Sequence, residues 1–506
     1  MLKLSSKIGP RILASFLRAS FYSSLFAGFA LLAACGGSYG GGNGNGGGGG
    51  PQYGAPVIAT TAPPDGTVNS AYSFTFMVAS GGKSPFTWSE TGALPAGLAL
   101  GSGGKLSGTP TASGSFPITV KVQDSASQTA TQDFTIIIAS GFSTTGSMST
   151  PRAYHTATLL NDGTVLVTGG LDASSNVLSS AEIYDPASGT FALTAGPLNT
   201  PRAGHTATLL NDGTVLIAGG ADTSAEIYNP ANKTFTTLAA SMTIARDQHT
   251  ASLLNDGTVL LAGGIENSGA YIDTAEIYDP VAQTFTATAG SMITARSLHT
   301  STTLKDGRVL ITGGQISAGS GQFTSSAAAE LYDPSAKTFS SVPHMADARF
   351  EHTATILPSG RVLIAGGEDP NFDALSSTEI FDSSTNSFQS AGNMSEMSKF
   401  RAGHTATLLT GTEVLLAGGA SFEQVTCGNN CVTLAAITTG TAEIFDPSQG
   451  NLGIVATLQT ARYFHTATKL QNGGVLIVGG IEAHTVKTGR GDIPSTTVLS
   501  SAELFQ

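Results

Sequence analysis

One cassette recurs seven times between Pro151 and the end of the 506-residue chain. It reads Arg-x-x-His-Thr, a short apolar run, Asn-Asp-Gly or a variant, a second apolar run closing on Gly-Gly, then Ala-Glu-Ile-Tyr-Asp-Pro and a Phe. A fixed period of roughly 45–60 residues means that each copy folds as one unit, whose open faces are buried only by stacking on its neighbours. The alternation inside a copy predicts four strands, which in the first copy fall at 155–160, 164–170, 181–184 and 190–194. Asn161-Asp162-Gly163 and residues 185–189 have the composition of tight hairpin connections. Small residues in the first strand, such as Ala157 and Thr158, suit crowding at an axis, whereas Tyr184 and Phe191 fill the wider space further out. The position of Tyr184 recurs as Tyr228, Tyr278, Tyr332, Phe381, Phe445 and Phe505. Seven four-stranded sheets around one axis make an all-β fold, a seven-bladed β-propeller.

Length alone would suggest about three domains, a prior that yields to an observed repeat. Only 11% of the residues are charged, against roughly 25% in an average soluble protein, so the polar surface is mostly Ser, Thr, Asn and Gly. Net charge is −12, and no Lys/Arg cluster occurs beyond the N-terminus. Phosphate-backbone binding lacks its electrostatic footprint, and nucleic acid is not an expected partner.

Residues 1–35 read as a targeting segment. Lys3, Lys7, Arg11 and Arg18 precede an apolar run at 21–34 that contains Ser23 and Ser24 and is shorter than the about 20 residues of a spanning helix. The run closes Leu32-Ala33-Ala34-Cys35-Gly36, which resembles the lipobox of bacterial lipoproteins. That resemblance implies lipidation of the Cys35 thiol, cleavage just before it and, with Gly36 following, export to the outer membrane or cell surface. An ordinary signal peptide with a chance cysteine is the plainer alternative. Residues 36–55 begin with an almost pure Gly tract and predict a flexible tether, so the membrane is expected to be met through lipid only.

Residues 56–140 predict a small β-sandwich, with alternation at 72–76 and 116–122 and a last strand at 134–138. Leu94-Pro95-Ala96-Gly97-Leu98, then Gly108-Thr109-Pro110 and Gly114-Ser115-Phe116, resemble the immunoglobulin-like domain of bacterial surface proteins. Trp88, the only tryptophan, is expected in its core. Asp124 and Asp133 are too few to argue a calcium site.

The cassettes, spanning residues 141–506, resemble the kelch repeat, and in particular the kelch-like propeller of the galactose oxidase central domain. The resemblance is carried by the Gly-Gly pairs ending at Gly170, Gly220, Gly264, Gly314, Gly367, Gly419 and Gly480, and by the aromatic residues downstream. The later tryptophan of many kelch repeats is Phe191, Phe235, Phe285, Phe339 and Phe388 here, and the sixth copy offers only Leu452. The seventh copy ends without a fourth strand. Phe142-Ser143-Thr144 parallels Phe191-Ala192-Leu193, so residues 141–149 are expected to close the last blade and remove an open edge.

Every copy has an Arg three residues before its His: Arg152, Arg202, Arg246, Arg296, Arg349, Arg401 and Arg462. Every copy also has a Glu before its Ile or Leu: Glu182, Glu226, Glu276, Glu330, Glu379, Glu443 and Glu503. Strand order brings Arg, Gly-Gly and Glu to one end of the ring, where charge-assisted pairs would tie strands or blades. The seven histidines read as blade residues too, because an active site needs groups in different roles. Galactose oxidase-type copper chemistry, as the resemblance implies it, requires a Tyr crosslinked to Cys. The propeller has only Cys427 and Cys431, spaced to form a disulfide with each other in an exported setting, so no metal or cofactor is expected.

Symmetry breaks in the connections between second and third strands. The second copy has a minimal one at 221–224, whereas 315–328, 420–441 and 481–501 are long and emerge on the Arg/Glu face. Insertions on one face mark a binding face. Phe422, Glu423, Asn429, Asn430, His484, Lys487, Arg490 and Asp492 are the candidate binding residues there; tolerated surface insertions are the alternative. Arg490-Gly491-Asp492 resembles an integrin-recognition tripeptide, a match that chance explains. The expected function is non-catalytic binding of a glycan or protein by an exported surface protein. The alternative is a carbohydrate oxidase or hydrolase, favoured if His484, His344, Asp492, Asp369 or Asp373 cluster.

Overall fold

The computed structural model describes residues 53–506 apart from 69, 221, 392–395, 427–431 and 489–490. Cys35, Cys427, Asn429, Asn430, Cys431 and Arg490 lie outside the described residues, and only the backbone is described at Lys487 and Asp492. The described residues divide at Ala139/Ser140 into two compact units, both built of strands and loops.

In the smaller unit Thr87–Gly92, Gly114–Gln123 and Thr129–Ala139 form an antiparallel sheet, with Gly66–Thr67 added in parallel along Thr129–Ala139. Tyr72–Thr75, Lys105–Gly108 and Leu98–Leu100 make a second sheet. Alternate residues of both point inward, so Ile118, Val120, Val122 and Ile136 are buried together with Trp88, Phe76 and Phe134. Phe76 lies 6.2 Å from the Trp88 ring and 5.0 Å from Phe134. Asp124 accepts hydrogen bonds from the backbone of Lys83, Ala126 and Gln128, which commits it to shaping its loop.

The larger unit is a ring of seven four-stranded antiparallel sheets. Blade 1 runs Thr156–Leu159, Val165–Thr168, Ala181–Asp185 and Thr190–Leu193 from the axis outward. The first strands neighbour one another in order and the seventh returns to the first, so the ring is closed. Blade 7 takes Thr466–Lys469, Val475–Val478 and Ala502–Phe505 from the C-terminal end, with Phe142–Thr144 as its outer strand. Phe142 faces Phe505 in register with ring centroids 5.1 Å apart, repeating the 4.9 Å pairing of Tyr184 with Phe191 in blade 1. Second strands such as Val215–Ala218 are buried at every position. They lie between neighbouring blades, where Val215, Ile217 and Tyr228 of blade 2 pack on Leu160, Leu166 and Ile183 of blade 1.

The Gly-Gly pair has a steric cause. Gly169 (φ +61°) and Gly170 (φ +97°) are both in the left-handed region. A Cβ on Gly169 would strike the carbonyl of Arg202 and the His205 ring of the next blade, and one on Gly170 would meet the carbonyl of Ala153.

The long connections read as loops in the sequence are β-ribbons. Blade 4 extends Gln315–Gly319 with Gln322–Ser325, blade 6 Ala420–Thr426 with Val432–Thr438, and blade 7 Ile481–Thr488 with Gly491–Val498. The ribbons of blades 6 and 7 pack together: Ala420, Ala436, Tyr463 and Ala483 are buried, with Phe422, Phe464 and Ile481 at the edge. Thr438 Oγ1 also donates to the Ala483 carbonyl at 2.9 Å.

Candidate functional site

The repeated polar residues build the ring. Each Arg guanidinium meets the Glu of its own blade at 2.5–3.2 Å, and both groups are buried. Arg152 Nη1 also donates to the carbonyls of Gly169 (2.7 Å) and Ser180 (3.0 Å), so one side chain ties three strands. Glu182 accepts from the backbone of Ser149 at 2.8 Å, holding the link that arrives from blade 7. Between blades, the backbone N–H of Gly170 donates to Arg202 O, and the series closes where Gly480 donates to Arg152 O at 2.9 Å.

The histidines form a second closed series. His205 Nε2 bonds Thr156 Oγ1 of the preceding blade, and His155 bonds Thr466 of blade 7. Burial, then the neighbouring Arg charge, pushes His155, His205, His249 and His404 down to about 3, so all four are neutral at ordinary pH.

The residue before each histidine breaks the symmetry. These are Tyr154, Gly204, Gln248, Leu298, Glu351, Gly403 and Phe464, and every one has φ between +51° and +66°. From blade 2 onward each donates its N–H to the carbonyl of its predecessor, from Gly204 to Tyr154 (3.2 Å) through to Phe464 to Gly403 (2.9 Å). A chain of hydrogen bonds that visits all seven blades in order is a collar around the axis, on the face from which the long ribbons rise. The two glycines make room for neighbours. A Cβ on Gly403 would meet the Phe464 ring at 2.9 Å, and one on Gly204 would collide with Asp247 Oδ1.

Phe464, leaning over Gly403, stacks between Tyr154 and Tyr463 with centroids 4.6 Å from each. Across the collar Glu351 hydrogen-bonds Glu368, the residue after the blade 5 Gly-Gly pair. Burial pushes both carboxyls up, and Glu351 beside it pushes Glu368 further, so the pair holds a shared proton into the neutral range. Tyr154 and Tyr463 are raised by burial and by the charges of Glu351 and Glu368, which places the rings and the carboxyls in one field. Phe350, Phe323 and Phe372 pack edge-on to one another on the blade 4–5 side, and Ser325 Oγ donates to Glu368 O. Asp247 is pushed up to about 6 by burial, and its Oδ1 is buried without a hydrogen-bond partner.

The residues singled out by sequence are placed elsewhere. Phe422 packs at the edge of the ribbon cluster beside Ala420 and is half-buried there. Glu423 and His484 are exposed on the blade 6 and blade 7 ribbons, and the backbones of Lys487 and Asp492 pair across the tip of the latter. Asp369 accepts from the backbone of Asn371 and Asp373 within its own turn, and His344 is exposed in the link to blade 5. The sequence reading passed over the collar, although its signal is visible: one position of a monotonous cassette reads Tyr, Gly, Gln, Leu, Glu, Gly, Phe.

Comparison with known proteins agrees with this architecture. The family model described as "Putative Ig domain" matches residues 55–139, and the Kelch motif matches residues 151–195. No curated protein matches the sequence. Among solved structures, a "novel fungal alcohol oxidase with catalytic diversity among the AA5 family, in complex with copper" is similar at 17% identity and a TM-score of 0.53. That similarity covers 72% of this chain and 75% of the oxidase. The structure of YjhT is similar at 17% identity over 59% of this chain and 95% of that one, with a TM-score of 0.44. At such identity the oxidase shares a fold. The seven blade histidines spend Nε2 on threonines, and among the described residues no group of three His, Cys, Asp or Glu is arranged to hold a metal ion. The chain thus carries an immunoglobulin-like domain followed by a kelch-type, seven-bladed β-propeller.

Proposed function

We propose that this is an exported binding protein, held at the cell envelope by lipid on Cys35, that recognises a glycan at the collar on the long-ribbon face. The observation that carries the reading is conformational. Gly204 and Gly403 occupy the collar without a side chain, so the ring accepts glycine there, yet Tyr154, Gln248, Leu298, Glu351 and Phe464 are kept in the left-handed region. Such a residue costs of order 1–3 kcal/mol and concentrates at ligand sites. Among them Tyr154 and Phe464, with Tyr463, offer flat rings for stacking on sugar faces in the field of the Glu351 and Glu368 carboxyls, which accept hydroxyl hydrogens. The ribbons of blades 6 and 7 supply a wall.

A glycan array probed with the purified protein tests the reading. Phe464→Ala should remove binding while circular dichroism stays unchanged; retained binding in a folded variant rejects the collar. Cys35→Ser should move the protein from the membrane to the soluble fraction, and unchanged partitioning rejects the anchor.

One observation favours the alternative, a carbohydrate-active enzyme. A carboxyl that keeps its proton near neutral pH is what a general acid requires, and the Glu351–Glu368 pair has one. Two carboxyls in direct hydrogen bond are, however, closer than the about 5 Å that a retaining glycosidase places between them. Release of reducing ends from a bound oligosaccharide would decide for the enzyme.

A further inference from the structure

We infer that the collar selects glycans bearing free amino groups, so that an ammonium on a sugar ring sits between the Glu351–Glu368 carboxyls and the Tyr154, Phe464 and Tyr463 rings. The inference rests on the glycan-binding reading above and names its ligand class.

Charge accounting comes first. A buried ionisable group is ordinarily paired. Among the described residues neither Glu351 nor Glu368 stands in an ion pair with a Lys, Arg or His. The seven buried guanidiniums nearby are each bound to a Glu and to carbonyls of their own blade. The carboxyl pair is therefore stabilised only by holding a proton, and an ammonium would replace that proton with a full counter-charge.

Ring geometry is the second observation. The Phe464 ring, in contact with Tyr154 on one side and Tyr463 on the other, joins three aromatics in the same field as the two carboxyls. Aromatic faces attract cations, most strongly where water is excluded, and the same faces stack on pyranose C–H groups. Asp247 Oδ1 is the third: it is buried, has no partner and lies over Gly204 at another point of the same collar. A polymer with an amine on successive rings has an acceptor waiting there. An acidic sugar would instead bring a carboxylate to a site that offers it no cation.

Titration calorimetry on the whole protein, with four probes, tests this. They are a glucosamine tetramer, an N-acetylglucosamine tetramer, cellotetraose and a tetralysine peptide. The glucosamine tetramer should bind at least 10-fold more tightly than either neutral tetramer. Its advantage should grow from pH 5 to about pH 6.5, where the sugar ammoniums keep their charge while Asp247 and the Glu351–Glu368 pair begin to give up protons. Glu351→Gln should erase the preference, and Glu368→Gln serves as the second variant if the first does not fold. The pH series on the unaltered protein stands without either. Equal affinity for neutral and amino tetramers overturns the inference and leaves the glycan reading in place. Tighter binding of tetralysine assigns the site to a protein ligand and overturns it as well. If no tetramer binds, the inference fails, and a blank array then removes the glycan reading with it.

Discussion

Arg296 provides the sharpest test of what holds the ring together. Its side chain is fully buried, with Nη2 2.7 Å from Glu330 Oε1 and Nη1 at 2.6 and 2.8 Å from the carbonyls of Gly313 and Ala328. Glu330 also accepts from the backbone of Ile293 at 2.6 Å and Thr294 at 3.0 Å. Arg296→Ala removes the cation and leaves a carboxylate, about 1% exposed, whose only remaining donors are neutral amides. Breaking one partner out of a buried pair costs about 3–5 kcal/mol. The two amides hold the loss toward the lower end, while the deserted carbonyls of Gly313, Ala328 and Thr294 push it back up, so about 4 kcal/mol is expected. Urea unfolding followed by circular dichroism measures it. Glu330→Gln strands the guanidinium instead and should cost a similar amount, but Arg296→Met with Glu330→Gln should cost clearly less than the two combined, because neither charge is then orphaned. Binding per folded molecule should survive in all three, since the pair stands behind the collar. Additive losses, or a loss below about 1 kcal/mol for Arg296→Ala, would refute the reasoning.

Acid should open the ring. An unfolded histidine takes its proton near 6.5, whereas His155, His205, His249 and His404 resist until about 3. Their contribution is complete above about 6.5 and drains as pH falls toward 3, at about 1.4 kcal/mol per histidine per pH unit; circular dichroism that stays native at pH 3.5 contradicts this. Leu298→Gly relieves a left-handed leucine and should leave Tm unchanged or raise stability by up to about 1 kcal/mol, so a clear drop in Tm shows that the fold itself needs that side chain. Replacing 420–441 and 481–501 with the four-residue link 221–224 should keep the ring and weaken glycan binding, because it strips the cover from Tyr463 and Phe464; full affinity in a folded swap moves the site off these ribbons.

The blade count, the closing strand and the Arg–Glu end of the ring are legible in the chain because each depends on contacts repeated at a fixed spacing. Tyr184 and Phe191 face each other in blade 1 for the same reason that Phe142 and Phe505 do in blade 7, and a strand missing at one terminus is visible once the repeat is known. The ribbons were half legible. Their positions follow from where the cassette lengthens, but whether an insertion coils or pairs depends on a partner such as Ala483 for Thr438, which lies 45 residues away.

The collar was hidden by the logic that made the fold readable. Searching for what recurs selects Arg, His, Gly and Glu, and these are spent on the scaffold. A ligand that binds one molecule per ring has to read a difference between blades, and the difference sits one residue before each histidine. The backbone there is identical in all seven copies, left-handed and hydrogen-bonded to its neighbour, so tertiary structure imposes the conformation and sequence is left to choose the side chain. Glycine would satisfy that backbone everywhere. Where Tyr154, Glu351 and Phe464 stand in its place, the strained backbone carries side chains that meet one another and the blade 6–7 ribbons, and Gly403 is small because Phe464 needs the space above it. The physical signature of the proposed site is thus a position at which the best residue for stability is known from two blades and refused in five.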